Sequence, residues 1–235
     1  MALRIHHMRA CLLLLLFVQV ATTKDKRPTT FDLSVDFLDK QAAAGVWQYG
    51  YSTTNSLAPD QFRSDSYFDD MQPICFWHPL TKENRGPGYY PYVAYNRTNE
   101  SQFGSSHGWA ARAHQVAMEA SNSGQYSLVR FITPFAGTYE ISAAFEGIHF
   151  GLSTTDVHVL HNSAHLFDAE IQGYGGDPAF HRIQGAHPTA SYKETVRLAA
   201  GDAVTFAIGY GENKTNYGDT TGLFARLVLL SSRKK

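Results

Sequence analysis

Cysteine is scarce in this chain, with two among 235 residues. Cys11 falls in an N-terminal segment whose layout predicts removal on export. Cys75 is then left alone, no intramolecular disulfide can form, and the fold must rest on its core. Cys75 sits in Ile74-Cys75-Phe76-Trp77, where a buried thiol is the expected state. Positive charge is not in excess: 20 Lys and Arg face 21 Asp and Glu. That balance lacks the basic footprint that nucleic-acid phosphates demand, so nucleic acid is not an expected partner. Long apolar runs are missing as well. The longest, Ala10 to Val18, falls short of the roughly 20 residues of a bilayer-crossing helix, and no transmembrane segment is expected in the mature chain. Charged residues make up only 17%, and no long amphipathic helical pattern is found. His-Glu-x-x-His and paired-cysteine motifs are absent, so no zinc-protease helix is indicated.

What is present is a secretory layout followed by β-rich sequence. Arg4 and Arg9 precede the apolar run, and Ala21, Thr22 and Thr23 supply small residues after it, which reads as a signal peptide over residues 1–22. Its loss removes two Arg and no acid, leaving a mildly acidic secreted body. Three acceptor sequons begin at Asn96, Asn99 and Asn213 and predict glycosylated loops if the source is eukaryotic. Tyr (13), Phe (15) and Gly (19) are abundant, a composition suited to pleated strands and tight turns.

Tyr139, Ile141, Ala143 and Phe145 alternate with Glu140, Ser142 and Glu146, as in a strand with one buried face. Val204, Phe206 and Ile208 repeat the pattern. Further strands are expected within residues 31–37, 46–52, 126–133, 156–160, 191–198 and 223–230, bounded by Gly, Pro, Asn or Asp. Many short strands without crossover helices imply an all-β, antiparallel β-sandwich of jelly-roll type. Residues 23–235 are expected to form one such domain. Between about 55 and 123 the periodicity fades into Pro, Gly, Asn and Tyr, which reads as a loop-rich insertion with a binding role.

Five segments carry a family resemblance. Gly45-Val46-Trp47-Gln48-Tyr49-Gly50-Tyr51 resembles the Gly-Val-Trp-Ser-Tyr-Gly segment of a family of secreted bacterial β-sandwich domains, many with a PEP-CTERM sorting tail. The run from Val129 to Tyr139 is similar to that family's strand and turn. So are Thr155 to Leu160, Leu198 to Asp202 and Asp219 to Leu223, in the same order. Ala42-Ala43-Ala44 replaces the family's Asn-Pro-Asn, and Ser231 to Lys235 holds no anchor helix. More distantly, the Gly-Thr-Tyr and Leu-x-x-Gly-Asp turns resemble jelly-roll carbohydrate-binding modules. The resemblance implies a secreted β-sandwich, and sugar binding by analogy.

Aromatic side chains offer flat faces for sugar rings. Trp47, on a regular strand, is expected in the core. Tyr89, Tyr90 and Tyr92, flanked by Gly and Pro, are the expected ligand contacts, with Trp77 and Trp109 beside them. His158, His161 and His165 are the densest histidines. On one strand His158 and His161 diverge at odd separation unless the chain turns, so zinc is not expected. Calcium suits an extracellular sandwich better, with Asp156 and Asp219 as candidate ligands, although aspartates at strand ends also cap turns. Glu140 and Glu146 share a strand face that reads as solvated.

The expected function is a secreted, non-catalytic module that recognises carbohydrate or another extracellular surface through aromatic loops. An extracellular glycan-acting hydrolase would need two carboxylates across a cleft, and a structural or adhesive protein would show a flat apolar patch instead. Export predicts that the secreted protein begins close to residues 21–23. N-terminal sequencing checks this, and a secreted form starting at Met1 sinks it.

Overall fold

The computed structural model describes residues 29–37, 45–79, 90–104, 108–175 and 187–232. Tyr139, Ile141, Ala143 and Phe145 are buried along one face of a single long strand, which is how period-two alternation converts to a pleat with one inner face. Sixteen strands occur among the described residues. They are β1 (Thr30–Asp32), β2 (Trp47–Ser52), β3 (Phe62–Ser64), β4 (Tyr67–Asp69), β5 (Ile74–His78), β6 (Tyr92–Asn96), β7 (Gln102–Phe103) and β8 (Ala110–Ala111), followed by β9 (Val116–Glu119), β10 (Ser127–Ile132), β11 (Gly137–Gly147), β12 (Leu152–His161), β13 (Ala164–Tyr174), β14 (Thr189–Leu198), β15 (Ala203–Ile208) and β16 (Thr221–Ser232). Every pairing among them is antiparallel.

From β9 onward the chain passes between two sheets in the order of a jelly roll. One sheet runs β14-β11-β16-β9 and the other β13-β12-β15-β10. The earlier strands enlarge both. β6, β5 and β4 continue the first sheet past β9, β2 and β3 continue the second past β10, and β1 pairs with β16. The 55–123 segment is loop-rich, but β3, β4, β5, β6 and β9 within it are built into the two sheets, while β7 and β8 pair with each other in a small sheet of their own.

The inner faces enclose one core that includes Trp47, Tyr49, Phe131, Tyr139, Phe145 and Phe206. Phe131 meets Trp47 edge-on at 5.3 Å and Tyr139 at 6.2 Å. A second apolar cluster covers the opposite face of β5, β6 and β9: Ile74, Phe76, Tyr92, Ala94 and Ala117 pack with Trp109, Ala111 and Ile148. Those strands are therefore buried on both sides, and Cys75 is a buried free thiol among them. A third, smaller cluster of Leu128, Leu160 and Ala207 lies outside the second sheet, with Leu57, Phe62 and Tyr126 against it.

Phe206 is fully buried against Trp47 at 6.3 Å. Phe206→Ala removes a large ring from a close-packed interior, at a cost of roughly 3–5 kcal/mol. For a domain of this size thermal unfolding should move down by on the order of 10 °C, and a shift under about 2 °C would contradict the placement of this ring.

Candidate functional site

The expected ligand contacts divide sharply. Tyr89 lies outside the described residues. Tyr90 is half-buried, stacked on His78 at 4.5 Å, and Tyr67 meets the same imidazole at 4.9 Å at the β4 edge. Burial raises the Tyr90 phenol pKa. Tyr92, Trp77 and Trp109 are core residues and not ligand contacts. The reason is the double burial of β5 and β6: Trp77 points into the inter-sheet core, while Tyr92 and Trp109 belong to the cluster on the other face.

The sequons divide as well. Asn96 is fully buried, and its Nδ2 donates to the carbonyls of Glu100 (2.7 Å), Arg112 (2.9 Å) and Ala111 (3.2 Å). That nitrogen is committed to the backbone of Glu100, Ala111 and Arg112, which corrects its expected place in an exposed loop. Asn99 and Asn213 are exposed. Glu146 also departs from expectation. Glu140 is partly exposed opposite Lys193 at 3.3 Å, whereas Glu146 is buried and takes hydrogen bonds from Arg112 Nη2 (2.8 Å) and Gln115 Nε2 (2.9 Å). His187 Nδ1 stands 2.8 Å from Glu146 Oε1 without hydrogen-bond alignment.

At one end of the sandwich, the β11–β12 and β15–β16 connections and the end of β13 form a surface that the aromatic survey of the sequence passed over. Tyr217 is 78% exposed between buried Asn216 and Asp219. Asn216 Nδ2 donates to Ala120 O (3.0 Å) and Glu119 Oε1 (3.3 Å). On the other side, Ser153 Oγ donates to Gly218 O (2.7 Å), and the Thr155 and Thr221 hydroxyls donate to Asp219 O. Gly218 holds a φ of 90°, and a Cβ there would meet Leu152 O at 2.7 Å, so only glycine fits the bend. The turn is thus anchored from beneath on both flanks, and the Tyr217 ring is what it presents to solvent.

Beside it, Leu152 and Tyr174 face each other across the β12–β13 pair, both more than half exposed. His149 completes the surface, its ring 6.0 Å from that of Tyr217. Gly151 N–H donates to His149 Nδ1 at 2.7 Å, which places the imidazole proton on Nε2, and burial lowers the His149 pKa. His149 therefore offers a neutral N–H donor.

Below this surface lie two buried acids. Glu119 accepts from Tyr92 Oη (2.9 Å), Thr220 Oγ1 (2.5 Å) and Asn216, yet burial pushes its pKa up to about 7. Asp219 is raised to about 7 by burial as well, with the charges of Glu119 and Asp156 adding to the effect. Asp219 Oδ1 accepts from Thr154 N–H at 2.8 Å, and its buried Oδ2 has no hydrogen-bond partner among the described residues. Asp156, the other expected calcium ligand, is engaged elsewhere. Its Oδ1 accepts from Gly211 N–H (2.7 Å), its Oδ2 meets His158 Nε2 (2.8 Å), and Tyr126 adds its hydroxyl. Burial opposes ionisation of Asp156, but these hydrogen bonds outweigh it and lower the pKa. His161 turns away to Asp202 at 2.8 Å. Among the described residues, the side chains that converge as a metal-ligand group are His158, His165 and Asp168.

No family model matches the chain, and no curated protein matches it. Solved structures do, at low identity. CBM51 from Clostridium perfringens GH95, in complex with methyl-galactose, is 12% identical over 58% of this chain and 87% of its own, with a TM-score of 0.35. A family 35 carbohydrate binding module from Clostridium thermocellum is 12% identical over 68% and 95%, with a TM-score of 0.29. A beta-glucosidase from Kluyveromyces marxianus, in complex with glucose, is 12% identical over 82% of this chain and 17% of its own, with a TM-score of 0.29. Among the described residues, no helix is long and apolar enough to cross a membrane.

A signal for the missed surface was present in Asn216-Tyr217-Gly218-Asp219, an aromatic inside a turn sequence, where burial is hard to arrange. For Glu119, a folded-state pKa near 7 against 4.5 means that the folded protein holds this proton more tightly than the unfolded chain. Its contribution to stability is complete below about pH 4, is lost as pH rises toward 7, and changes little beyond. Glu119→Gln, which mimics the protonated acid, should narrow the difference in melting temperature between pH 5 and pH 8 by on the order of 5 °C. An unchanged pH profile in the variant sinks this reading.

Proposed function

We propose that this protein is a secreted, non-catalytic module that binds carbohydrate through the loop end of its jelly roll. The observation that carries the reading is Tyr217, exposed between two buried and hydrogen-bonded neighbours. A sugar ring presents an apolar C–H face and a rim of hydroxyls. Tyr217 and Tyr174 offer flat faces for the first, and the His149 N–H and the tyrosine hydroxyls offer partners for the second. Because the turn is held before any ligand arrives, ordering it costs little on binding. Glu119 supports the non-catalytic part, since all its hydrogen-bond partners are structural groups of the fold and it is buried beneath the surface. Export is supported by the signal-peptide layout of residues 1–22. In a eukaryotic secretory pathway, Asn99 and Asn213 are the acceptors that the fold leaves accessible.

A glycan and polysaccharide array with the purified protein, followed by calorimetry on the best ligand, tests the proposal. Tyr217→Ala and Tyr174→Ala should each weaken binding about tenfold or more, as interface aromatics do, while thermal unfolding moves by less than about 2 °C. A silent array, or an affinity indifferent to both substitutions, removes carbohydrate binding at this end of the molecule.

A further inference from the structure

The β12–β13 hairpin reverses the chain through Asn162, whose φ of 54° is a left-handed conformation that asparagine tolerates. On β12, strand alternation turns Asp156, His158 and Leu160 away from the inter-sheet core, while Val157 and Val159 enter it. Across the hairpin, Asp156 faces Glu170 and His158 faces Asp168. Continued in register, the next outward residue would be Leu166. A β-bulge intervenes: Val159 pairs with Phe167, but Leu160 pairs with His165, so Leu166 is the additional residue. This moves His165 onto the face that already holds His158 and Asp168, and such re-aiming of one side chain is a frequent use of bulges.

The outcome is a tight cluster. Asp168 Oδ1 lies 2.5 Å from His158 Nδ1 and 2.6 Å from His165 Nδ1. The two imidazole rings stand 5.7 Å apart at 83°. We propose that His158, His165 and Asp168 bind a divalent transition-metal ion of the zinc class, with the remaining coordination position open to water.

Four features argue for it. The ligand atoms of the three residues lie within 4.8 Å of one another, and a tetrahedral ion with bonds of about 2.0–2.2 Å holds its ligand atoms about 3.3 Å apart. Asp168 and His165 are 53% and 46% exposed, whereas His158 is 14% exposed, so two ligands are free to shift by up to about 1.5 Å around a fixed third to reach that spacing. His158 is fixed because its other nitrogen, Nε2, meets Asp156 Oδ2 at 2.8 Å, and Asp156 is itself held by Gly211 N–H and Tyr126. A carboxylate behind a histidine is what selects the tautomer and orients the ring at metal sites. Two imidazoles and one carboxylate, finally, select zinc, copper or nickel over the all-oxygen shells of calcium and magnesium. The ion replaces an otherwise crowded arrangement in which both imidazoles turn toward a single carboxylate oxygen.

The test uses the purified, untagged protein, stripped with a chelator and dialysed metal-free. Zn²⁺ is titrated by calorimetry, and Co²⁺ is followed by visible absorption, which reports tetrahedral coordination directly. The expected result is one ion per chain with a Kd of about 1 μM or tighter and an intense tetrahedral Co²⁺ band. His165→Ala and Asp168→Asn should each weaken binding about 100-fold or more, and Asp156→Asn, a positioning residue, by about 10–100-fold. The metal-free melting temperatures of the His165 and Asp168 variants should match that of the parent, because both side chains are exposed. His161→Ala, at the neighbouring Asp202 pair, should leave binding unchanged. Absence of binding tighter than about 1 mM in the parent overturns the site, as does binding retained within about threefold in the His165→Ala, Asp168→Asn double variant.

Discussion

Inner-face aromatic packing between two sheets carries the molecule, because Cys75 is a free, buried thiol and the described residues contain no α-helix to brace either sheet. Trp47, Phe131, Tyr139, Phe145 and Phe206 interlock across the sandwich, and ring edges against ring faces resist both sliding and separation. Everything at the loop end depends on that stiffness. Ser153, Thr155 and Thr221 hold the 216–221 turn by hydrogen bonds that require β12 and β16, from opposite sheets, to keep their relative position.

Of the eight jelly-roll strands, β10, β11, β12, β14, β15 and β16 coincide with strands expected from the sequence. Along β11 a partly exposed outer side preserves the polar half of the pattern, whereas β15 is buried at all but its first position and is recognised by its run of apolar residues. β5, β6 and β9 were hidden because both of their faces are buried. Trp109, Ala111 and Ile148 cover their outer face, so that Ile74 to His78 is buried at every position and no period survives. β13 was hidden because it is an edge strand, largely exposed, with a bulge that breaks its alternation. The same burial explains why Trp77, Tyr92 and Trp109 resemble ligand contacts in sequence and are core in the fold. Proximity of Gly and Pro identifies a bend, but not what packs over it.

The candidate sites were harder to read than the strands because each depends on a register. His158 and His165 are separated by an odd interval, which places them on opposite faces of any straight strand. A turn followed by one unpaired residue brings them together, and neither the turn's length nor the bulge is legible without the pairing itself. Tyr217 was overlooked for a simpler reason. Among so many tyrosines, exposure cannot be assigned until it is known which neighbours are tied down.

The place of β16 in the larger sheet has a consequence for synthesis. This strand, at residues 221–232, lies between β11 and β9 and also pairs with β1, the first strand of the described body. A ribosome delivers it after every other strand among the described residues. Until it arrives, β11 and β9 present unpaired edges in the middle of the sheet, and the core has no lid over Leu223, Ala225 and Leu227 positions. The larger sheet is therefore completed by the last-made of its described strands, and its two parts, β14-β11 and β9-β6-β5-β4, join only when that strand is in place.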